Sequence, residues 1–187
     1  VFGSHERLPF PSSLTGTASR PLAGLRVLDL TSWWVGALTT QILGRLGADV
    51  VHIEGPGNPD GMRLTGKIFA TTEAWWEFGH MFAAVDTDRR GISVDLASEE
   101  GREILWTLID HADFLVENFA PRVAESWGLT HDAVLARNPH IVYLRMPAFG
   151  LDGPWRDRTA FAQTIEPMST MSSITGFADG LPISKGG

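Results

Sequence analysis

No cysteine occurs among the 187 residues, and that absence removes disulfide frameworks, thiolate zinc sites and cysteine nucleophiles together. A cytoplasmic location is the default expectation for such a chain. No apolar run approaches the roughly 20 residues that cross a bilayer, and residues 1–20 lack a basic start followed by an apolar stretch. Neither membrane insertion nor export is therefore predicted. Basic charge is also short. The 15 Lys and Arg stand against 22 Asp and Glu, a net charge of -7, which argues against a general nucleic-acid binder and leaves room for a local basic pocket.

What is present is ordinary globular composition, with 43% hydrophobic and 20% charged residues in a length that suits one domain or most of one. Residues 1–20, with Pro9, Pro11, Ser12, Ser13, Gly16 and Ser19, have the chemistry of an extended lead-in or linker. The chain starts at Val1 and stops at Lys185-Gly186-Gly187 without a terminating pattern, so residues 21–187 are expected to be the N-terminal part of a larger unit, truncated at the C-terminus.

From Pro21 onward strands and helices alternate. Short branched-apolar runs predict strands at 25–30, 48–53, 91–96, 113–117 and 140–146. Helices are predicted at 35–46, 98–110, 121–127 and 130–137, with Ser98 and Thr130 as N-caps, Pro121 in a first turn and Gly47 as a stop. In the first helix Leu38, Ile42, Leu43 and Leu46 share one apolar face. Residues 75–84 read as a further helix, after a long surface loop at 55–72. The alternation predicts an α/β fold with a doubly wound, mostly parallel sheet, Rossmann-like in class, joined by right-handed crossovers.

Ligands of such sheets bind beyond the carboxyl ends of the strands, where strand order reverses. A dinucleotide would need G-x-G-x-x-G after the first strand, because only glycine lets the backbone approach a pyrophosphate. That turn reads Thr31-Ser32-Trp33-Trp34-Val35-Gly36-Ala37 here, and the fingerprint is absent. A Walker loop, a G-x-S-x-G elbow and an H-E-x-x-H helix are absent too. His52, His80, His111, His131 and His140 have no metal-ligand spacing and are expected at the surface, so no metal is predicted. Arg156, Asp157 and Arg158 read as a charged turn, either a solvated loop or a salt-bridged subunit contact.

Six longer phrases occupy the strand ends instead. Pro21-Leu22-Ala23-Gly24-Leu25-Arg26-Val27-Leu28-Asp29-Leu30-Thr31 leads to Gly36, and Leu46-Gly47-Ala48-Asp49-Val50-Val51-His52-Ile53-Glu54 follows. Then come Arg89-Arg90-Gly91-Ile92-Ser93-Val94-Asp95-Leu96, Glu117-Asn118-Phe119-Ala120-Pro121, Asn138-Pro139-His140-Ile141-Val142-Tyr143 and Ala148-Phe149-Gly150-Leu151-Asp152-Gly153-Pro154. In order and spacing they resemble the family III coenzyme A transferases, the CaiB/BaiF family, from about Pro21 to the last residue. The lead-in, Trp33-Trp34 and the stretch from Phe161 to Glu166 are reminiscent of members in which two such units are fused.

The resemblance implies an enzyme that moves CoA between an acyl-CoA and a carboxylic acid, with no tightly bound cofactor, working as an interlinked homodimer. An aspartate attacks the thioester in these enzymes. The matching segment here is Ala160-Phe161-Ala162, so Ala162 stands where the nucleophile is expected. Glu166, one helical turn away, is the nearest substitute carboxylate. The preferred explanation is a catalytically silent half. The related 2-methylacyl-CoA racemases need an aspartate at the same place, and a non-enzymatic dimerisation domain is the reading from another class. By the same resemblance Trp33, Trp34, Arg89, Arg90, Asn118 and Phe119 are expected to bind CoA. The indoles would stack on adenine or shield pantetheine, and the guanidinium groups would hold phosphates. Gly55 and Pro147 depart from the family pattern at further contact positions, which lowers the expected affinity. The acyl group and the acceptor acid are not encoded in these phrases.

Overall fold

The computed structural model describes residues 20–68 and 73–183, with the side chains of 66–68 left out, so the lead-in predicted for 1–20 falls, apart from Arg20, outside the described residues. Five parallel strands form one sheet in the order β3-β2-β1-β4-β5. They are β1 (Arg26–Asp29), β2 (Asp49–Glu54), β3 (Arg90–Ser93), β4 (Phe114–Glu117) and β5 (Val142–Arg145). The helices are α1 (Trp33–Arg45), α2 (His80–Val85), α3 (Glu99–Ile109), α4 (Pro121–Ser126), α5 (His131–Arg137) and α6 (Ala162–Met168). The chain builds outward from β1 to β3, then crosses to the other side of β1 and continues with β4. The reversal between β1 and β4 is the switch point at which such sheets take ligands.

Both faces of the sheet are covered, because alternate side chains of a strand point opposite ways. Leu28, Ile53 and Leu115 pack with Leu105 and Ile109 of α3, Ala124 of α4 and Val134 of α5. Val27, Val50 and Val116 face the other way, where Leu43 of α1 covers them. Each fully buried aliphatic side chain contributes roughly 1.5–3 kcal/mol. The caps follow the sequence: Ser98 Oγ accepts from Gly101 N at 2.9 Å, and Thr130 Oγ1 accepts from Ala133 N at 3.2 Å. Gly47 ends α1 at a φ of 107°, a conformation that a Cβ would penalise.

Three expectations need correction. Of the four bulky residues on that face of helix α1, Leu43 alone packs on the sheet. Leu38, Ile42 and Leu46 are exposed, and the buried stripe is Gly36, Ala37, Thr40, Gln41 and Gly44. Small residues let the helix come close to the turn after β1 and to the connection before β3: a Cβ at Gly36 would overlap the Thr31 side chain, and one at Gly44 the carbonyl of Asp88. Close approach outweighs apolar periodicity here. Gly36→Ala is accordingly expected to destabilise the fold by about 1–3 kcal/mol through overpacking, more than its helix-propensity gain of about 1 kcal/mol. A thermal melt unchanged or raised would contradict that packing. Second, the helix predicted at 75–84 is divided by the extended backbone of Gly79 into a 3-10 turn, Trp75–Phe78, and α2. Third, the loop at 55–72 is not simply a surface loop, since a 3-10 helix, Gly61–Ile68, follows the buried Asp60 and itself buries Gly61 and Met62.

Candidate functional site

The strand ends are tied together by side chains that the turn after β1 requires. Asp29 closes the strand and turns the chain, its Oδ1 accepting from Thr31 N at 2.8 Å and Thr31 Oγ1 at 2.6 Å. Asn118, just past β4, pairs with the Ser32 backbone in both directions: its Oδ1 accepts from Ser32 N at 2.9 Å and its Nδ2 donates to Ser32 O at 2.7 Å. Trp33 then adopts a φ of 68°, a strained conformation for an aromatic residue. It is held there by three contacts. Its N–H donates to Asp60 Oδ1 at 3.1 Å, its indole lies over Gly61 where a Cβ would overlap it, and Phe161 meets the ring edge-on at 5.0 Å.

Beside this knot, at the carboxyl ends of β1, β2 and β3, opens a cavity of about 310 Å³, within the range of small-ligand sites. His52, Glu54 and Asp60 form one side, the backbone from Gly55 to Asn58 another, and the segment from Val94 to Ala97 a third, with Phe119 and Trp127 closing it. Phe119 and Trp127 stack edge to face at 5.0 Å. Glu54, Asp60 and Asp95 line the cavity, and among the described residues no Lys or Arg does.

Behind the cavity lies a dense ionic cluster. Burial pushes the Glu54 carboxyl up, but the Arg63 guanidinium, at 2.8 and 2.7 Å, and the Asp60 N–H bring it below the usual carboxylate range. Asp60 goes the other way: burial raises it despite the N–H groups of Met62 and Trp33. Asp29, fully buried, is raised by desolvation and lowered further by His52, Arg89 and Thr31, so that it ends below its ordinary value. His52, Asp60 and Asp86 bring ligand-capable atoms within 4.8 Å of one another, with Asp86 already ion-paired to Arg89.

The structure brings some of the expected binding residues to the cavity and leaves others away from it. Phe119 lines it, and Asn118 acts on it through Ser32, which also lines it. Trp33 and Trp34 are 38% and 43% exposed and stand outside the lining. Arg89 is buried, its guanidinium on Asp29 and Asp86. Arg90 opens the edge strand β3 and forks onto Asp49, the first residue of β2, at the amino end of the sheet. Ala162 begins α6 and Glu166 lies one turn further along it; neither lines the cavity. The charged turn is salt-bridged, with Arg156 on Glu125 and Asp157 Oδ1 accepting from Arg122 N at 3.0 Å.

One histidine overturns its expectation. His80, His111, His131 and His140 are exposed, but His52 is buried in the middle of β2. A polar side chain inside an apolar strand buried on both faces is itself a signal, because burial without partners is costly. The same signal marks Asp29 and Glu117, and sequence reasoning passed over all three.

Residues 22–187 match CoA-transferase family III over nearly the whole described fold. The chain belongs to CoA-transferase family III. Among curated relatives, it is 35% identical over 164 residues to succinyl-CoA--D-citramalate CoA-transferase of Chloroflexus aurantiacus, covering 87% of this chain and 39% of that protein. It is 36% identical over 168 residues to formyl-CoA:oxalate CoA-transferase of Streptomyces avermitilis, covering 90% and 39%. The solved structure of a CAIB/BAIF family protein from Brucella suis superposes with a TM-score of 0.81 at 33% identity, over 91% of this chain and 44% of that one. This family III chain thus spans about two fifths of the length of the curated relatives it matches. Among its described residues no helix is long and apolar enough to cross a membrane.

Proposed function

We propose that this chain binds coenzyme A or an acyl-CoA at the carboxyl edge of its sheet and does not itself supply the carboxylate that attacks the thioester. One observation carries the reading: a family III chain has an open cavity at the strand ends and alanine at position 162. In the transfer, a carboxylate oxygen attacks the thioester carbonyl, the C–S bond breaks, and CoA thiolate leaves a mixed anhydride behind. The thiolate then attacks the enzyme side of that anhydride and releases the first acid, so that CoA rides on the enzyme until a second carboxylic acid takes it. A methyl group cannot perform the first step.

The cavity favours an uncharged portion of the ligand. Three lining carboxylates repel phosphate, while Phe119 and Trp127 offer rings to adenine or to the pantetheine arm. Calorimetric titration of CoA into the chain is expected to give micromolar binding. No heat at millimolar CoA would favour the non-enzymatic dimerisation domain instead. An interlinked homodimer is the assembly proposed for the intact protein, and the apolar outer face of α1, with Trp34, Val35, Leu38 and Ile42 exposed, supports a role in association.

A second reading rests on α6. Glu166 follows Ala162 by one helical turn, about 5 Å, so a carboxylate does lie near the vacated position. Glu166→Gln in the intact protein is expected to leave turnover unchanged. A loss of two or more orders of magnitude would make Glu166 the nucleophile.

A further inference from the structure

One wall of the cavity is the connection from β3 to α3, and the start of that helix fixes it in place. Asp95 lies two residues past β3, where β2 and β3 end together with Glu54 opposite Ser93. Its carbonyl accepts from Ser98 N at 3.1 Å and from Ser98 Oγ at 2.7 Å, and Gly101 of α3 packs so closely on that carbonyl that a Cβ would overlap it. Arg102, the next residue of α3, donates through Nη1 to the carbonyls of Leu96 at 3.2 Å and Ala97 at 2.8 Å. That guanidinium is held on backbone oxygens and does not line the cavity.

The acidic groups of the cavity are not equivalent. Glu54 is answered by Arg63, whose Nη2 lies 2.7 Å from Oε1. Asp60 is buried, and its Oδ1 holds the N–H groups of Met62 and Trp33. Asp95 is exposed, and no Lys or Arg among the described residues pairs with it. Its Oδ1 accepts from Ala97 N at 3.0 Å, which fixes the carboxyl group and leaves Oδ2 as an acceptor with no donor among the described residues. In parallel sheets of this class an acidic side chain near the strand ends bonds the hydroxyls of a bound ribose, and an arginine is needed where that ribose carries a phosphate. Here the acid is present, and among the described residues no cation lines the cavity beside it.

We propose that Asp95 sets the ribose specificity of this cavity, which takes an adenosine end with free 2′ and 3′ hydroxyls and disfavours the 3′-phosphate of CoA. The inference rests on the proposed function, in which the cavity holds the handle of a thioester carrier, and it narrows that handle to the unphosphorylated form found in dephospho-CoA and its thioesters. A pair of hydroxyls donates to the carboxylate. A phosphate brings negative charge and acceptor oxygens toward a group that is itself an acceptor only. Phe119 and Trp127 close the same cavity and offer their rings to the base, so adenine and ribose are recognised together. Asp95 thus discriminates between two states of the ribose without acting on the thioester.

Calorimetric titration of the chain with CoA and with dephospho-CoA, which differ only in the 3′-phosphate, tests this on the wild type. Dephospho-CoA is expected to bind about tenfold tighter at low salt, the size that like-charge repulsion at a half-open site gives. The difference is expected to shrink as added salt screens the charges. Asp95→Asn keeps an oxygen for the Ala97 N–H and removes the charge, so it is expected to bring the two dissociation constants together, mainly by tightening CoA. Equal binding of the two ligands by the wild type, or tighter binding of CoA, overturns the inference and leaves the proposed function standing. No heat from either ligand at millimolar concentration overturns both. A preference for dephospho-CoA that Asp95→Asn leaves unchanged overturns the role of Asp95, because the discrimination then comes from another group.

Discussion

Asp29→Ala is expected to cost about 3–5 kcal/mol, the usual loss when one partner of a buried ion pair is removed. Against a total stability of roughly 5–15 kcal/mol, that lowers the melting temperature by roughly 6–20 °C. The reason is that one carboxylate serves four partners. Its Oδ1 turns the chain at Thr31, and its Oδ2 receives Thr40 Oγ1, the Arg89 guanidinium and the imidazole of His52. Arg89 is 2% exposed and would keep its charge with only Asp86 as counter-ion. Asp29→Asn separates the contributions. The amide oxygen still accepts from Thr31 N, so the turn survives, but the charge that Arg89 and His52 face is gone. Its melting temperature is expected between those of the alanine variant and the wild type.

The pH dependence has a definite sign. Because the folded pKa of Asp29 lies below its unfolded value, its stabilising contribution is complete above the unfolded pKa and is lost as pH falls through the folded one. Melting of the wild type in acid is therefore expected to converge on that of Asp29→Asn. If Asp29→Ala melts within 2 °C of the wild type at neutral pH, the cluster carries no such load.

The fold was largely legible in the sequence because its strands are short apolar runs punctuated by turn residues. Leu28 sits between Val51 and Leu115 in a register that branched apolar residues alone would favour. The place of the cavity was legible as well, since a parallel sheet with a reversal beside its first strand leaves its crevice at the carboxyl edge. The face of α1 was not. Periodicity finds bulky apolar residues, but α1 packs through Gly36 on the Thr31 side chain and through Gly44 on the Asp88 carbonyl, where size rather than hydropathy decides. The ionic cluster was not legible either. Asp29 and Arg89 are 60 residues apart, and no spacing rule connects a strand end with a turn at that distance. The resemblance to the family is what marks the arginine pair as phosphate ligands. Nothing in Arg89-Arg90 itself distinguishes a guanidinium sunk onto two carboxylates from one lying along a strand edge on Asp49.

The second large effect is expected at the other side of the switch point, where Glu117 and Arg145 pair across β4 and β5 in register. Arg145 Nε donates to Glu117 Oε1 at 2.8 Å, and Glu117 Oε2 accepts from Phe119 N at 2.8 Å, which links the pair to the ring that closes the cavity. Glu117 is fully buried and Arg145 is 9% exposed by its side chain. Either methionine variant alone leaves a buried charge without its partner and is expected to cost about 3–5 kcal/mol. Replacing both by methionine removes the two charges together, so the double variant is expected to recover most of that loss, short of the about 1–3 kcal/mol for the orphaned Phe119 N–H. Strict additivity of the two single losses in the double variant would show that the residues do not act as a pair. Titration gives an independent reading. Burial raises the Glu117 pKa more than Arg145 and the Phe119 N–H lower it, so the folded chain takes up this proton more readily than the unfolded one. Stability from this group therefore rises as pH falls from neutral through the raised pKa toward the ordinary glutamate range, and levels off below it. Glu117→Gln cannot take up the proton. The difference in melting temperature between wild type and Glu117→Gln is thus expected to grow in favour of the wild type on acidification, and a difference independent of pH would mean that the carboxyl is not perturbed where β4 meets the cavity.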